Sequence, residues 1–429
     1  MIPSLDTMKT MRYDVAVIGG GPAGMMAAGR AAQCGARVVL LEKNSSLGVK
    51  LLITGGGRCN VTNAELDQQV FLGKFKDAAK FLFSPYARFG VQDTLGFFHT
   101  HGMPTKIEAE KRVFPVSDSA QSVWDVLTQH MRQGNVTVLT DATVVGVEIA
   151  NGNISGVQLK NNDIVSARSY VLATGGKSRP ETGSTGDGFR WLKKIGHTVI
   201  ESRPSLVPLR VREPWVADVA GVSAQDAKLT VFQDRKKQGA KKIFPSRRGK
   251  VLFTHFGLSG PLVLNMSQDI SEFLQYGEVI VSLDLSPHKN IGELDSEVQT
   301  LFMPNKNKQV KNSLDGLVAP LLVPVLLRLA SIDPEKPVHS VSREERLALV
   351  RLLKDLRMTI IGLLGEDKAI VTSGGIALEE VDFKNMRSRL YPNLYLVGDI
   401  LNIDRPSGGY SLQLCWTTGY VAGTAAVGR

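Results

Sequence analysis

The first regular pattern in the chain is four consecutive apolar residues, Val15, Ala16, Val17 and Ile18. A short unbroken apolar run suits a strand buried on both faces of a parallel sheet. Gly19, Gly21 and Gly24 follow, then a helical stretch, then a second apolar run over 38–41 closed by Glu42. Residues 65–134 read as mostly helical, with short strands expected between Phe97 and Pro115. Strands are predicted over 135–139, 143–149 and 154–159, with Gly152 supplying a turn. The apolar run 170–173 is a further strand, and the amphipathic run 189–195, closed by Gly196, predicts a helix. From Glu201 the pattern changes to separate strands over 206–211, 228–232 and 250–254, joined by polar loops. Residues 290–364 read as helical, with Ser342 and Glu345 spaced as a capping box. The chain ends in strands over 369–373 and 394–397 and a small-residue helix over 417–426.

This alternation predicts an α/β protein. It has a discontinuous Rossmann-type domain (11–200 and 365–429), an inserted β-rich domain (201–289) and a small helical domain (290–364). A length of 429 residues independently asks for two or three domains.

The opening strand–turn–helix carries candidate chemistry. Gly19, Gly21 and Gly24 fit G-x-G-x-x-G. The first glycine permits a tight turn, the second lets backbone approach a diphosphate, and the third lets helix and strand pack closely. Pro22 and Ala23 lie at the helix start, whose amides and dipole favour an anion. Glu42 ends the second strand, where a carboxylate accepts from ribose hydroxyls. The motif serves FAD or NAD equally.

Residues 43–63 contain three consecutive glycines, Gly55 to Gly57, beside Thr54, Arg58, Asn60 and Asn63. This composition predicts a loop, neither helix nor strand, whose backbone approaches a flat ligand or a phosphate. Thr174 and Gly175 follow the 170–173 strand and put bare backbone at the sheet's carboxyl edge, ahead of TGSTGDG at 182–188. His99 and His101 read as sharing a strand face. With no third ligand nearby they are ordinary polar positions, and no metal site is expected.

Composition narrows the picture. Three cysteines, Cys34, Cys59 and Cys415, make no disulfide framework and fit a reducing compartment. No signal peptide is read ahead of the first strand, and the leading residues read as a disordered leader. The apolar stretch 317–327 is too short to span a bilayer and contains Pro320 and Pro324. A cytoplasmic protein away from membranes is expected. The net charge of +10 comes largely from Arg235 to Lys250, RKKQGAKKIFPSRRGK, which holds eight Lys or Arg and no acid. This run is a solvated hairpin tip or an arm that contacts RNA phosphates, with Phe244 available for stacking.

Four blocks carry a resemblance: GVKLLITGGGRCNVTN at 48–63, ATGGKSRPETGSTGDG at 173–188, LFTHFGLSGP at 252–261, and VTSGG, LYLVGDILNID, SGGYSLQL and TGYVAG between 371 and 423. With these in order, the chain resembles the BaiN/YhiN-like NAD(P)/FAD-dependent oxidoreductases, also described as aminoacetone-oxidase-family FAD-binding flavoproteins. The resemblance implies tightly bound FAD and a β-barrel-like insert. It assigns the diphosphate to Gly19, Gly21, Pro22, Ala23 and Gly24, and the adenosine end to Glu42, Lys43 and the backbone near Val144. The ribityl and flavin side falls to Lys50, Leu51, Thr54, Gly56, Arg58, Cys59, Asn60 and Val61, with Thr174 and Gly175. Gly398 and Asp399 are assigned to the ribityl chain, and Gly408, Gly409, Tyr410, Ser411 and Leu412 to the isoalloxazine edge. The chain departs from its relatives at Arg179, Asp399, Asn402 and Ser411.

The resemblance further implies reduction of a polarised C=C bond of a small molecule, with a hydride from flavin N5 and a proton from a side chain or water. Tyr410, Cys59 and Lys50 are the candidate donors. A single dinucleotide fingerprint leaves NAD(P)H as a transient reductant at the flavin face, or another protein as the source of electrons. Two alternatives stand beside this reading: a flavoenzyme converting uridine to dihydrouridine in ribosomal RNA, and a non-catalytic FAD-holding protein.

Overall fold

The computed structural model describes residues 13–234, 241–274, 276–364 and 371–428. They fall into two compact units. One joins the chain up to Pro204 with residues from 371 onward, and the other comprises residues 205–364. The stretches expected as 201–289 and 290–364 thus lie almost wholly in the second unit.

The first unit is built on a seven-stranded sheet. Its central strand β1 (Tyr13–Ile18) pairs in parallel with β2 (Val38–Leu41) on one side and with Ala167–Leu172 on the other. Thr137–Leu139 extends it beyond β2, and Leu394–Leu396 extends it beyond Ala167–Leu172, both in parallel. The four residues of β2 are all buried, as the unbroken apolar run requires. Helix α1 (Pro22–Gln33) follows β1 and packs against the last helix, Tyr410–Ala425. The two helices meet through backbone. A Cβ on Gly419 would lie 2.5 Å from the Ala23 carbonyl oxygen, and one on Gly423 would lie 2.5 Å from that of Ala27. Only hydrogen at both positions permits so close a crossing.

Several local expectations are corrected here. Residues 49–57 are not an extended loop. Val49–Leu52 is one helical turn, and Thr54–Gly57 forms a 3₁₀ turn in which Gly55 and Gly56 are left-handed (φ 58° and 69°). The glycines coil the backbone, and Thr54 locks it by donating to the Leu51 carbonyl at 2.6 Å and accepting from the Cys59 amide at 3.0 Å. Phe97 to Thr100 belong to the helix Val91–Thr100, and pairing begins only at Thr105–Glu108. His99 and His101 therefore share no strand face. His99 Nε2 meets Thr105 Oγ1 and His101 Nδ1 meets the Phe97 carbonyl. The last helix starts seven residues earlier than 417, at Tyr410. Tyr410, Leu412, Leu414, Cys415 and Trp416 are all buried, so this stretch shows no polar face for periodicity to detect.

The second unit is a closed six-stranded barrel of Leu209–Val211, Gly257–Ser259, Lys241–Thr254, Ser223–Asp234, Glu278–Asp284 and Leu356–Leu363. Leu356–Leu363 lies in the stretch expected to be helical. It is a strand because Leu356, Met358 and Ile360 alternate into the barrel core, pairing beside Val279, Val281 and Leu283. Helices Ile291–Phe302, Leu322–Leu329 and Arg343–Lys354 lie in the same stretch, joined by loops and short 3₁₀ turns. Arg343–Lys354 starts on the Ser342–Glu345 capping box, which is formed reciprocally.

Part of the basic run, residues 235–240, lies outside the described residues, as do the side chains of 241–244, Phe244 among them. Of its remaining cations, Arg248 forms a two-pronged pair with Asp226 (2.6 and 2.7 Å), and Arg247 lies 3.5 Å from Asp269. Among the described residues no helix is long and apolar enough to cross a membrane.

Candidate active site

In the first unit a cleft opens at the carboxyl ends of the parallel strands and holds about 1200 Å³ of space free of protein atoms, counted out to open solvent. In open α/β sheets this edge is where ligands bind. Its floor is the turn from β1 into α1. Gly19 has φ 105°, and a Cβ there would meet the Ala173 carbonyl at 2.5 Å. A Cβ on Gly24 would come within 1.9 Å of the Gly19 carbonyl oxygen, so strand and helix touch at this point. Gly21 differs from both: it is extended, and nothing lies within 4 Å of the position its Cβ would take. That open space belongs to the cleft, which Gly19, Gly21, Pro22 and Ala23 line.

Glu42 is buried at one end. Its Oε2 accepts from the Gly20 amide (2.7 Å) and its Oε1 from the Asn44 amide (2.8 Å). Each oxygen keeps a second acceptor position. Lys43 and Asn44, next in sequence, reach across to the TGSTGDG stretch. Lys43 Nζ donates to Thr185 Oγ1 (2.7 Å) and pairs with Asp187 (2.9 Å), and Asn44 Nδ2 donates to the Thr182 carbonyl (3.0 Å). The Lys43 charge is thus spent on a strap over this end of the cleft.

The other end carries charge of both signs. Lys50 Nζ donates to Ser178 Oγ (2.6 Å) and lies 3.7 Å from Asp399 Oδ2. Asp399 also pairs through Oδ1 with Arg405, whose side chain is fully buried. Arg405 donates as well to Ser411 Oγ (3.0 Å) and the Ile403 carbonyl (2.6 Å). Burial raises the Asp399 carboxyl, but Arg405 and then Lys50 outweigh it and hold it below the usual carboxylate range. Burial pushes Lys50 below an ordinary lysine; Asp399 opposes this and Arg405 adds to it.

Fifteen of the residues expected to hold the cofactor line the cleft: Gly19, Gly21, Pro22, Ala23, Glu42, Lys43, Lys50, Leu51, Thr54, Val144, Thr174, Gly175, Asp399, Ser411 and Leu412. The structure places the others elsewhere. Gly24 and Gly398 lie beneath the lining, where Gly398 donates its amide to Thr418 Oγ1. Gly56 is exposed with open space around it. Arg58 pairs with Glu108 and Asp118 and stacks on Phe114 at 4.2 Å. Val61 is core, its amide donating to Val113 and its carbonyl accepting from Trp416. Asn60 has a buried Oδ1 without a hydrogen-bond partner. Gly408 accepts from Asn63, and Gly409 lies against the Thr62 backbone.

Of the three candidate proton donors only Lys50 lines the cleft. Cys59 is wholly buried, and burial pushes its thiol up to about 12. The Tyr410 ring packs on Phe71 (4.9 Å) and Phe75 (6.0 Å), and burial pushes its hydroxyl up to about 12.

The family described as HI0933-like protein Rossmann domain matches residues 13–425. The chain belongs to this family. A 3-dehydro-bile acid delta(4,6)-reductase of Clostridium scindens is 32% identical, with 97% of this chain and 99% of that protein covered. A ribosomal RNA dihydrouridine synthase of Escherichia coli is 31% identical over 95% and 96% of the two chains. Among solved structures, the 3-ketosteroid delta1-dehydrogenase of Sterolibacterium denitrificans superposes with a TM-score of 0.55 at 12% identity, covering 97% of this chain and all of that one, which shows the shared fold. The resemblance carried by the four sequence blocks therefore stands. This member of the family is an FAD-dependent oxidoreductase, which sets aside the non-catalytic alternative.

Several lining residues escaped sequence reasoning, among them Asn44, Gly48, Ser184, Asp187, Trp191 and Cys415. For Ser184 and Asp187 a signal existed, since TGSTGDG was conspicuous but had no partner to place it. Arg405 gave no such signal.

Proposed function

We propose that the protein saturates a C=C bond conjugated to a carbonyl in a small molecule, with FAD lying along the cleft and NAD(P)H as the transient donor of electrons. The observation that carries this reading is the pair of near-full-length relatives. Their names denote one outcome on two substrates, saturation of a ring C=C in a bile acid and in uridine. In both a carbonyl is conjugated to the bond, so the shared demand is a hydride to one carbon and a proton to the other.

The residues present fit FAD. Space is open at Gly21, beside the first turn of α1, where amides and dipole favour a diphosphate. Glu42 offers acceptors for ribose hydroxyls at one end. When bound, FAD supplies the hydride from N5. The chain's part is to orient FAD, exclude water and hold a proton at Lys50 Nζ.

The test is NAD(P)H oxidation by the FAD-loaded protein with a cyclic enone such as 2-cyclohexenone, with the saturated ketone as product. Reduction of a panel of enones supports the small-molecule reading, and no turnover with any of them removes it. The second reading, uridine reduction in ribosomal RNA, is favoured by the Escherichia coli relative and the basic run. It requires that deleting the gene removes a dihydrouridine from ribosomal RNA.

A further inference from the structure

The cluster at the Lys50 end contains one carboxylate between two cations. Asp399 gives Oδ1 to Arg405 and leaves Oδ2 3.7 Å from Lys50, beyond hydrogen-bond distance. Arg405 itself is absent from the cleft lining, which Lys50, Asp399 and Ser411 share. Its guanidinium is held on three sides, by Asp399, Ser411 Oγ and the Ile403 carbonyl. A guanidinium keeps its charge in proteins, so the group here able to change charge is Lys50.

We propose that Arg405 is a positioning residue that, by claiming Asp399, leaves the Lys50 ammonium under-neutralised at the cleft wall, so that Lys50 exchanges a proton with the bound reactants. The charged and titratable groups that act on Lys50 are Asp399, Arg405 and the Cys415 thiol, and Cys415 is pushed up to about 12 by burial and stays neutral. One excess positive charge remains when Lys50 is protonated. Burial and Arg405 both favour its loss; Asp399 resists, with a smaller push in the same direction from Cys415.

The assignment rests on the C=C reduction reading for its chemistry. There, a hydride from reduced FAD forms a C–H bond at one carbon, and the π pair of the C=C takes the Lys50 Nζ proton at the other. FAD ends oxidised, the substrate reduced, and the amine is recharged from solvent.

The experiment follows the visible flavin spectrum of the FAD-loaded protein from pH 7 to about 10.5, spanning an ordinary lysine near 10.4, together with the pH profile of 2-cyclohexenone reduction. The wild type is expected to show an alkaline transition below that value, and Lys50→Met to lose it. Arg405→Met frees Asp399 for Lys50 and moves the midpoint up by about one pH unit, tenfold in the proton equilibrium. Arg405→Lys restores it. Asp399→Asn leaves two cations facing each other and moves the midpoint down, which keeps the test open if Arg405→Met does not fold. A wild type without the transition, a transition that survives Lys50→Met, or variants at 405 and 399 that move it in the same direction overturn the proposal. Correct spectral shifts without enone reduction uphold the Arg405 assignment and count against the functional reading alone.

Discussion

Gly21 and Gly24 are three residues apart in one motif, yet adding a single methyl group to each should have opposite consequences. At Gly24 the new Cβ would lie 1.9 Å from the Gly19 carbonyl oxygen, and real Cβ contacts essentially never fall below 3.0 Å. Helix and strand must therefore separate by at least the difference, 1.1 Å. Helix α1 has no room to retreat, because Gly419 and Gly423 hold the last helix against its other side. Overpacking a tight contact costs about 1–3 kcal/mol. At Gly21 nothing lies within 4 Å, and its backbone (φ −79°, ψ −177°) suits alanine. Gly21→Ala should leave the FAD-free protein within about 0.5 kcal/mol of wild type. The methyl group then stands where the diphosphate is expected, and FAD affinity should fall at least tenfold, ~1.4 kcal/mol. The assay is thermal or urea unfolding of the FAD-free protein, paired with FAD titration by fluorescence. Gly24→Ala should lower Tm by about 2–4 °C per kcal/mol. If Gly21→Ala binds FAD like wild type, the diphosphate does not lie at this turn. If Gly24→Ala unfolds like wild type, the strand–helix contact is looser than 1.9 Å implies.

Opening the strap with Lys43→Met or Asp187→Asn should speed FAD release about fivefold, the effect of losing ~1 kcal/mol, with Lys43→Asp plus Asp187→Lys recovering part of it. The recovery of flavin fluorescence after rapid dilution of the FAD-loaded protein reads the rate, and unchanged release refutes the strap. His130 packs against Gly29, and burial, aided by His101 and Arg30, pushes it down to about 4. Its unfolded form takes up a proton near 6.5, so between those values the unfolded state binds more protons than the fold. Its contribution is complete above pH 6.5 and is lost as pH falls towards 4, at up to about 1.36 kcal/mol per pH unit. Urea midpoints at pH 7 and 5 should differ less in His130→Asn, and equal slopes count against neutral burial. Thiol labelling at pH 8 should modify only the half-buried Cys34 in the native protein and all three cysteines in urea, since burial pushes Cys59 and Cys415 both up to about 12. Native labelling of Cys59 would contradict its placement.

What could be read from the sequence was whatever a few adjacent residues decide among themselves. The turn at Gly19 to Gly24 needs a left-handed residue, an open face and a close helix contact within six positions, and each demand leaves a glycine in the sequence. The Ser342–Glu345 cap is equally local. Helix 410–425 was read seven residues short because burial on every side removes the polar stripe that marks a helix. Leu356–Leu363 reads as helix in isolation because its alternation becomes decisive only once Glu278–Asp284 lies beside it. Arg405 is the extreme case. It sits among turn residues and pairs with Asp399, six positions before it, and that aspartate in turn lies near Lys50, more than three hundred positions away. A residue whose work is to occupy another residue's partner leaves no spacing and no periodicity of its own. The cofactor end of the cleft was legible because backbone geometry builds it. The Lys50 end was legible only in part: Lys50, Asp399 and Ser411 could be read, but Arg405 and the way it joins them could not, because these side chains meet only after the chain has closed on itself.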